Sequence, residues 1–467
     1  MEKLSDSELY ELETQTEEQS PPSFTLMKRK QRVCRRYASK CIIGGKPADG
    51  NDEAQEKLLS TILPNTIEKK IDLPKHKLIS GSAISRDGRY YIVGGRNYLS
   101  VFDSITGEYQ LKKSCKLSNI AHHLTSIDYN DYSQKILVTT LNEKVQIHNL
   151  ELDVEEASYM KLKECPAGHF LLEYDDNRCA VFDTKFSEKD GSKCIVLLNN
   201  GFSICDLEEN KVITNVANGH WEEVNSVMTK PFGLSENTIV TGGDDALVNI
   251  YDKRTIGSKE GNKACGKFFG HNAGITSVDI TESGNYIASN GKDQLIKLWD
   301  IRKALPQDIY TKTKRKYIDF DYRNTSFNKS KRFVHEADNS VYTFKGHTTH
   351  YTQIRCKFSP SSWTNERFIA SGSFCGCTII YDTYTGEKLG ALAPASKSIA
   401  KIPTWHPLER KLMSTSENKF FIYEHDPEKT TLKSCVGKVD LHSKIQRKFK
   451  KLQKEEVKHH TVDSCKN

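Results

Sequence analysis

At 467 residues, with 37% hydrophobic and 9% aromatic side chains, the chain has material for a sizeable core, which excludes wholesale disorder. No run of 18 apolar residues occurs, which excludes an α-helical membrane span. The net charge of +7 is mild, and thirteen cysteines without a secretory leader are expected to be reduced thiols of a nuclear and cytoplasmic protein.

Residues 1–64 read as a charged extension, disordered or partly helical. Residues 1–19 hold seven carboxylates against one lysine, and residues 28–40 (KRKQRVCRRYASK) hold seven cations. The segment 52–63 (DEAQEKLLSTIL) is predicted to form a short helix with Leu58, Leu59, Ile62 and Leu63 on one side. It suits either a docking helix or a cap on the rim of the following domain. Residues 431–467 form a second basic tail. Terminal charge blocks of this kind are usually solvated, and the sharper reading of the basic ones is an import signal or a nonspecific nucleic-acid contact, which is not favoured.

Between 65 and 430 a unit recurs. Seven segments read as equivalent strands: NYLSVFD (97–103), EKVQIHN (143–149), GFSICDL (201–207), ALVNIYD (246–252), QLIKLWD (294–300), CTIIYDT (377–383) and NKFFIYE (418–424). Each follows a strand ending in small residues, such as YYIVGG, TIVTGG or YIASNG, and most have a further strand upstream. Strands in sets of four at about 40–50 residues predict an all-β, seven-bladed propeller. One interval stretches to 82 residues, and its polar excess at 312–339 is expected to project as a loop between the fifth and sixth blades. Ring closure needs an outer strand from elsewhere, and residues 65–73 and 430–441 are the two candidates.

Three blades carry Gly-His upstream, at Gly219-His220, Gly270-His271 and Gly346-His347. His220, Thr241, Asp245 and Tyr251 recur in the next blade as His271, Ser289, Asp293 and Trp299, with the last three at identical spacing. Imidazole, hydroxyl, carboxylate and aromatic donor in that order make a shared hydrogen-bond chain that locks a blade. Its repetition argues against hydrolytic catalysis, since a catalytic triad is made once. In the sixth blade Cys375 stands where the aspartate belongs, so that lock is expected to be incomplete.

Other chemistry is thinly supported. Cys375 and Cys377 form the only tight cysteine pair, which leaves a zinc site without its second half. The run 261–267 matches the start of a phosphate loop but continues with Phe268 instead of Ser or Thr, and reads as an outer strand. Glu173, Asp175 and Asp176 read as a polar turn. Neither an enzyme nor a cofactor or metal site is expected.

Gly-His opening a repeat and Trp-Asp closing it resemble the WD-repeat family over roughly 77–426. Within it, Asp-x-Arg after the closing aromatic, at Asp252/Arg254 and Asp300/Arg302, resembles the adaptor-binding box of the substrate receptors of cullin–RING ubiquitin ligases. The stretches LPN (63–65), YDKRT (251–255), DQLIKLWDIRK (293–303), IDFDYR (318–323) and HYTQIRCKFSP (350–360) are similar to the subgroup that includes the eleventh-named cullin-associated factor and the plant LEC-fourteen-B-like proteins. That resemblance implies a non-enzymatic receptor which docks on the ligase adaptor through Asp252, Arg254, Asp300 and Arg302 and brings an unknown protein substrate to ubiquitination. The alternative is a WD-repeat scaffold of another complex, RNA-associated through the basic tails.

Overall fold

The computed structural model describes residues 62–426, apart from 77, 97, 105–107, 118–123, 141–143, 151–157, 162–180, 218, 233–235, 258–262, 307–316, 319–321, 324, 326 and 393–397. The basic blocks, residues 52–61 and the acidic cluster at 173–176 therefore lie outside the described residues.

The strands form seven four-stranded antiparallel sheets arranged as the blades of a propeller. From the innermost strand outward, blade one comprises Ile79–Ile84, Tyr90–Gly95, Tyr98–Asp103 and Gln110–Lys116. Blade two comprises Leu124–Asn130, Lys135–Thr140, Lys144–Asn149 and Ser158–Lys161. Blade three comprises Val181–Phe186, Lys193–Leu198, Gly201–Asp206 and Lys211–Val216. Blades four and five run Val224–Met228, Thr238–Gly243, Val248–Asp252, Gly266–Phe268, and Ile275–Ile280, Tyr286–Gly291, Ile296–Asp300, Tyr342–Phe344. Blade six comprises Cys356–Phe358, Phe368–Ser371, Thr378–Asp382 and Lys388–Leu392.

Blade seven takes Ala400–Trp405, Lys411–Ser416 and Lys419–Glu424 from the end of the domain and its outer strand, Thr66–Asp72, from the start. Thr66 pairs with Glu424 and Asp72 with Lys419. Of the two candidate closing strands, the earlier one does the work, and no blade edge is left open at the seam.

Alternation puts one apolar row of each strand on either face of its sheet, so neighbouring blades bury those rows against each other. The seven main hydrophobic clusters each bridge one pair of neighbouring blades. Between blades four and five, Val240, Ile250 and Phe268 meet Ile275, Val278 and Trp299. A large apolar side chain moved from water into such a seam contributes roughly 1.5–3 kcal/mol. Leu63 is buried against Trp363, Trp405 and Phe421 between blades six and seven, so the end of the predicted 52–63 helix that is described caps the rim.

Near the axis, inner-strand carboxylates stitch the seams. Asp128 accepts from the Phe186 N–H, Asp183 from Val227 and Asp279 from Phe358, at 2.8, 3.1 and 2.8 Å. Lys185, Arg355 and Lys357 neutralise them.

The insertion corrects the sequence expectation. It lies within blade five, between the third strand and Tyr342–Phe344, and not between blades five and six. The short aromatic strand after the insertion supplies the outer edge, pairing Ile296 with Phe344 and Leu298 with Tyr342. Nor does the segment simply project. Leu305 pairs with Lys267 of blade four, the Asn272 amide donates to Phe333 O, and Lys297 Nζ meets Asp338 at 2.6 Å. Among the cysteines, Cys115, Cys194, Cys205, Cys265, Cys356 and Cys375 are free, whereas Cys377 departs from expectation and is disulfide-bonded.

Candidate functional site

Antiparallel order within a blade sends its first-to-second and third-to-fourth turns to one side of the disc. The second-to-third turns and the connectors between blades emerge on the other. The two groups of residues singled out by the sequence separate accordingly.

The locks occupy the connector side. In blade five, His271 Nδ1 meets Asp293 at 3.1 Å, His271 Nε2 meets Ser289 Oγ at 2.7 Å, and the Trp299 indole N–H donates to the same hydroxyl at 2.8 Å. Asp293 also accepts from the backbone N–H groups of Asn272 and Leu295. Burial alone would raise the Asp293 pKa, but His271 and those N–H groups outweigh it and hold the carboxyl below its ordinary value. Gly291 is required here, because a Cβ would stand 2.4 Å from Asp293 Oδ1 and 2.6 Å from His271 Nδ1.

Blade four repeats the pattern through His220, Asp245 at 2.9 Å and Thr241 at 2.7 Å. Tyr251 replaces the indole, and its hydroxyl is held chiefly by the Asn249 amide at 3.4 Å. The sixth blade is incomplete, as its cysteine foretold. His347 Nε2 turns to Asn290 of blade five at 2.7 Å, and the Cys375 thiol donates to Ser373. Apart from the half-buried Cys375, these side chains are buried and consumed by structure.

Asp252, Arg254, Asp300 and Arg302 lie on the opposite side, in the same turn of two neighbouring blades. In blade five the turn is a short 3-10 helix, Ile301–Lys303, whose N-cap Asp300 accepts from the Arg302 N–H. The carboxylate also takes Arg302 Nε at 2.8 Å and NH2 at 2.7 Å. In blade four, Asp252 takes the Arg254 N–H and Nε at 3.0 Å each, and NH2 at 2.6 Å. Each arginine is thus paired with its own aspartate rather than free, yet the side chains remain 71% and 69% exposed. The clamp uses Nε–H and one NH2 hydrogen, which leaves three N–H donors of each fork facing outward. These hydrogen bonds hold both aspartates below, and both arginines above, their ordinary pKa values.

The two boxes are also mechanically joined. Beyond Arg302, the chain pairs Leu305 with Lys267 through reciprocal bonds of 2.9 Å, and Ala304 packs against the blade-four outer strand.

What the sequence reading missed is why these aspartates are available. Blades one and six end their third strands in Asp103 and Asp382, but Arg89 and Arg367, from the turn before the second strand, take those carboxylates. Blades four and five have Asn237 and Asn285 at that position, so the carboxylate turns to the arginine two residues on. The signal is present in the sequence as Arg or Asn immediately before the second strand.

Comparison with known proteins agrees with the propeller fold. Residues 262–300 match the family described as WD domain, G-beta repeat. The chain is 36% identical over 244 residues to a "DDB1- and CUL4-associated factor 11 homolog" of Caenorhabditis briggsae, covering 51% of this chain and 43% of that protein. It is 28% identical over 339 residues to a "LEC14B homolog" of Prunus armeniaca, covering 72% and 69%. It is 38% identical over 239 residues to a "LEC14B protein" of Lithospermum erythrorhizon, covering 50% and 49%. The match therefore spans less than half of the nematode and Lithospermum relatives.

Proposed function

We propose that this chain, a WD-repeat β-propeller protein similar to the DDB1- and CUL4-associated factor 11 and LEC14B relatives, is a substrate receptor that docks on the adaptor of a cullin–RING ubiquitin ligase. The observation that carries the reading is the paired Asp-x-Arg turn. Two guanidinium forks occupy equivalent positions of blades four and five, each aimed by its own carboxylate with three donors outward. Arg suits a bipartite hot spot because its planar fork combines bidentate donation with a flat packing surface.

In this reading the protein supplies binding and no chemistry of its own. One side of the disc holds the adaptor, and the opposite side, onto which the insertion is drawn by Asn272 and Asp293, receives the protein to be ubiquitinated and degraded. The name carried by two nematode relatives, DDB1- and CUL4-associated factor 11 homolog, supports the choice of partner.

Charge reversal tests it. Arg254→Glu with Arg302→Glu removes both forks from an exposed surface and should abolish co-purification of a DDB1-type adaptor and its cullin, with the unfolding transition unmoved. Retention of adaptor and cullin by the folded double variant would overturn the reading.

A further inference from the structure

The arginines stand three residues past their closing aromatic, Tyr251 and Trp299. The same step in blade six, from Tyr381, leads to Tyr384. All three turns share one backbone bond, in which the N–H of Arg254, Arg302 or Tyr384 donates to the aspartate two residues before it, at 3.0, 3.1 and 2.9 Å. Tyr384 therefore occupies the third consecutive place in one row.

The row has an apolar component. Among the described residues, three aromatic side chains are exposed: Tyr132 at 67%, Tyr384 at 47% and Tyr286 at 36%. All three lie in, or at the edge of, turns on the Asp-x-Arg side of the disc, whereas Ile67, Leu111 and Ile213 are exposed on outer strands. Tyr132 already stacks on Phe232, with centroids 5.6 Å apart and planes at 19°. Tyr286 lies near Arg302 in blade five, and Tyr384 holds the place in blade six that Arg302 holds in blade five. Tyr286 is the cross-strand partner of Asp300. Tyr384 is steadied by Arg367, whose guanidinium lies 5.1 Å from its ring centroid while clamped to Asp382. Neither phenol hydroxyl has a hydrogen-bond partner among the described residues.

We propose that the docking surface continues from the two arginines onto blade six, with Tyr286 and Tyr384 seating an apolar side chain of the partner next to the carboxylates that Arg254 and Arg302 take. The occupant is a protein surface that presents acidic groups around an aliphatic or aromatic residue. Charge complementarity with two outward forks and continuity of the row argue for it. Aromatic and arginine side chains are the ones that carry interface energy when a partner dries them. The inference rests on the receptor reading above, and names the part of the adaptor contact that the Asp-x-Arg boxes leave out.

The test measures affinity of the full chain for purified DDB1-type adaptor in five forms: wild type, Arg254→Glu/Arg302→Glu, Tyr384→Ala, Tyr384→Phe and Tyr286→Ala. Tyr384→Ala should weaken binding about 10-fold or more and Tyr286→Ala less, with melting curves unchanged, because truncating a buried interface aromatic commonly costs over one decade. Tyr384→Phe should stay within about threefold of wild type, since the ring face is the seat. Wild-type affinity in Tyr384→Ala and Tyr286→Ala, alongside loss in the double arginine variant, would overturn this inference and leave the receptor reading standing. Undiminished binding by the double arginine variant would overturn both.

Discussion

Arg367 and Asp382 of blade six form the same two-pronged pair as Arg302 and Asp300 of blade five, with bonds of 3.0 and 2.6 Å, but both partners are buried. One chemical unit therefore serves two purposes in neighbouring blades. In blade six the arginine comes from the turn before the second strand and seals the blade. Where it comes from the turn after the third it is offered to solvent. The difference predicts opposite outcomes for truncation. Arg367→Ala leaves the Asp382 charge buried without its counter-charge and should destabilise by about 3–5 kcal/mol in denaturant melts. Arg302→Ala should leave the midpoint where it was and act only on partner binding.

The aspartates of the exposed boxes act by aiming. Asp300→Asn keeps the turn's size but removes the charge that holds Nε and NH2 of Arg302. Freezing a long side chain on binding costs about 0.5–1.5 kcal/mol. The variant should therefore bind adaptor roughly 2–10-fold more weakly in calorimetric titration. A loss as complete as that of the double arginine reversal would mean that Asp300 contacts the partner itself.

The blade-five lock should behave as a unit. Asp293 meets His271 and two backbone N–H groups in a fully buried site. Asp293→Ala orphans all of them and should cost about 3–5 kcal/mol, measured by the urea midpoint. Adaptor binding by the fraction that remains folded should persist, because the lock and the arginines lie on opposite sides of the disc.

Acid should unfold the ring by way of its buried histidines. Burial lowers His76, His148 and His406 to about 4. For His406, Glu409 and Asp87 oppose the shift, Lys411 adds to it, and the ring's Nδ1 accepts from the N–H groups of Leu408 and Glu409. Unfolded histidine binds its proton near 6.5, above the folded value, so these groups stabilise the fold fully above that pH. Their contribution is lost as pH falls from about 6.5 towards 4. Thermal melts between pH 7.5 and 4.5 should slope downward through that window. His406→Gln, which keeps an acceptor for the two N–H groups, should flatten the slope; an unaltered slope would remove His406 from the account.

Much of this was legible in the chain. Third strands from Tyr98–Asp103 to Lys419–Glu424 announce themselves because each ends a β-branched or aromatic run at a polar turn. The lock of blade five was readable in full, since its four members recur in the same order one blade earlier, the last three at identical spacing. The insertion was misplaced because Tyr342–Phe344 has only three residues, too few to declare a strand without its partner Ile296–Leu298. Likewise, Asp300 and Asp382 look alike in sequence. Only pairing across the blade shows that Arg367 reaches one while Asn285 leaves the other to Arg302. The signal sits at Arg367 and Asn285, about 15 residues before the aspartates, and acquires meaning only once the second and third strands are paired.

The closing strand sets a timetable for biosynthesis. Thr66–Asp72 is made early, yet the segment it hydrogen-bonds to, Lys419–Glu424, emerges from the ribosome some 350 residues later. At about 5–20 residues per second that interval lasts on the order of 20–70 seconds. Through all of it a strand whose backbone groups are destined for pairing stays unsatisfied. Newly made protein should therefore depend on chaperones until the last blade arrives. Mutations in Lys419–Glu424 should show themselves first as poor yield of folded protein rather than as altered binding.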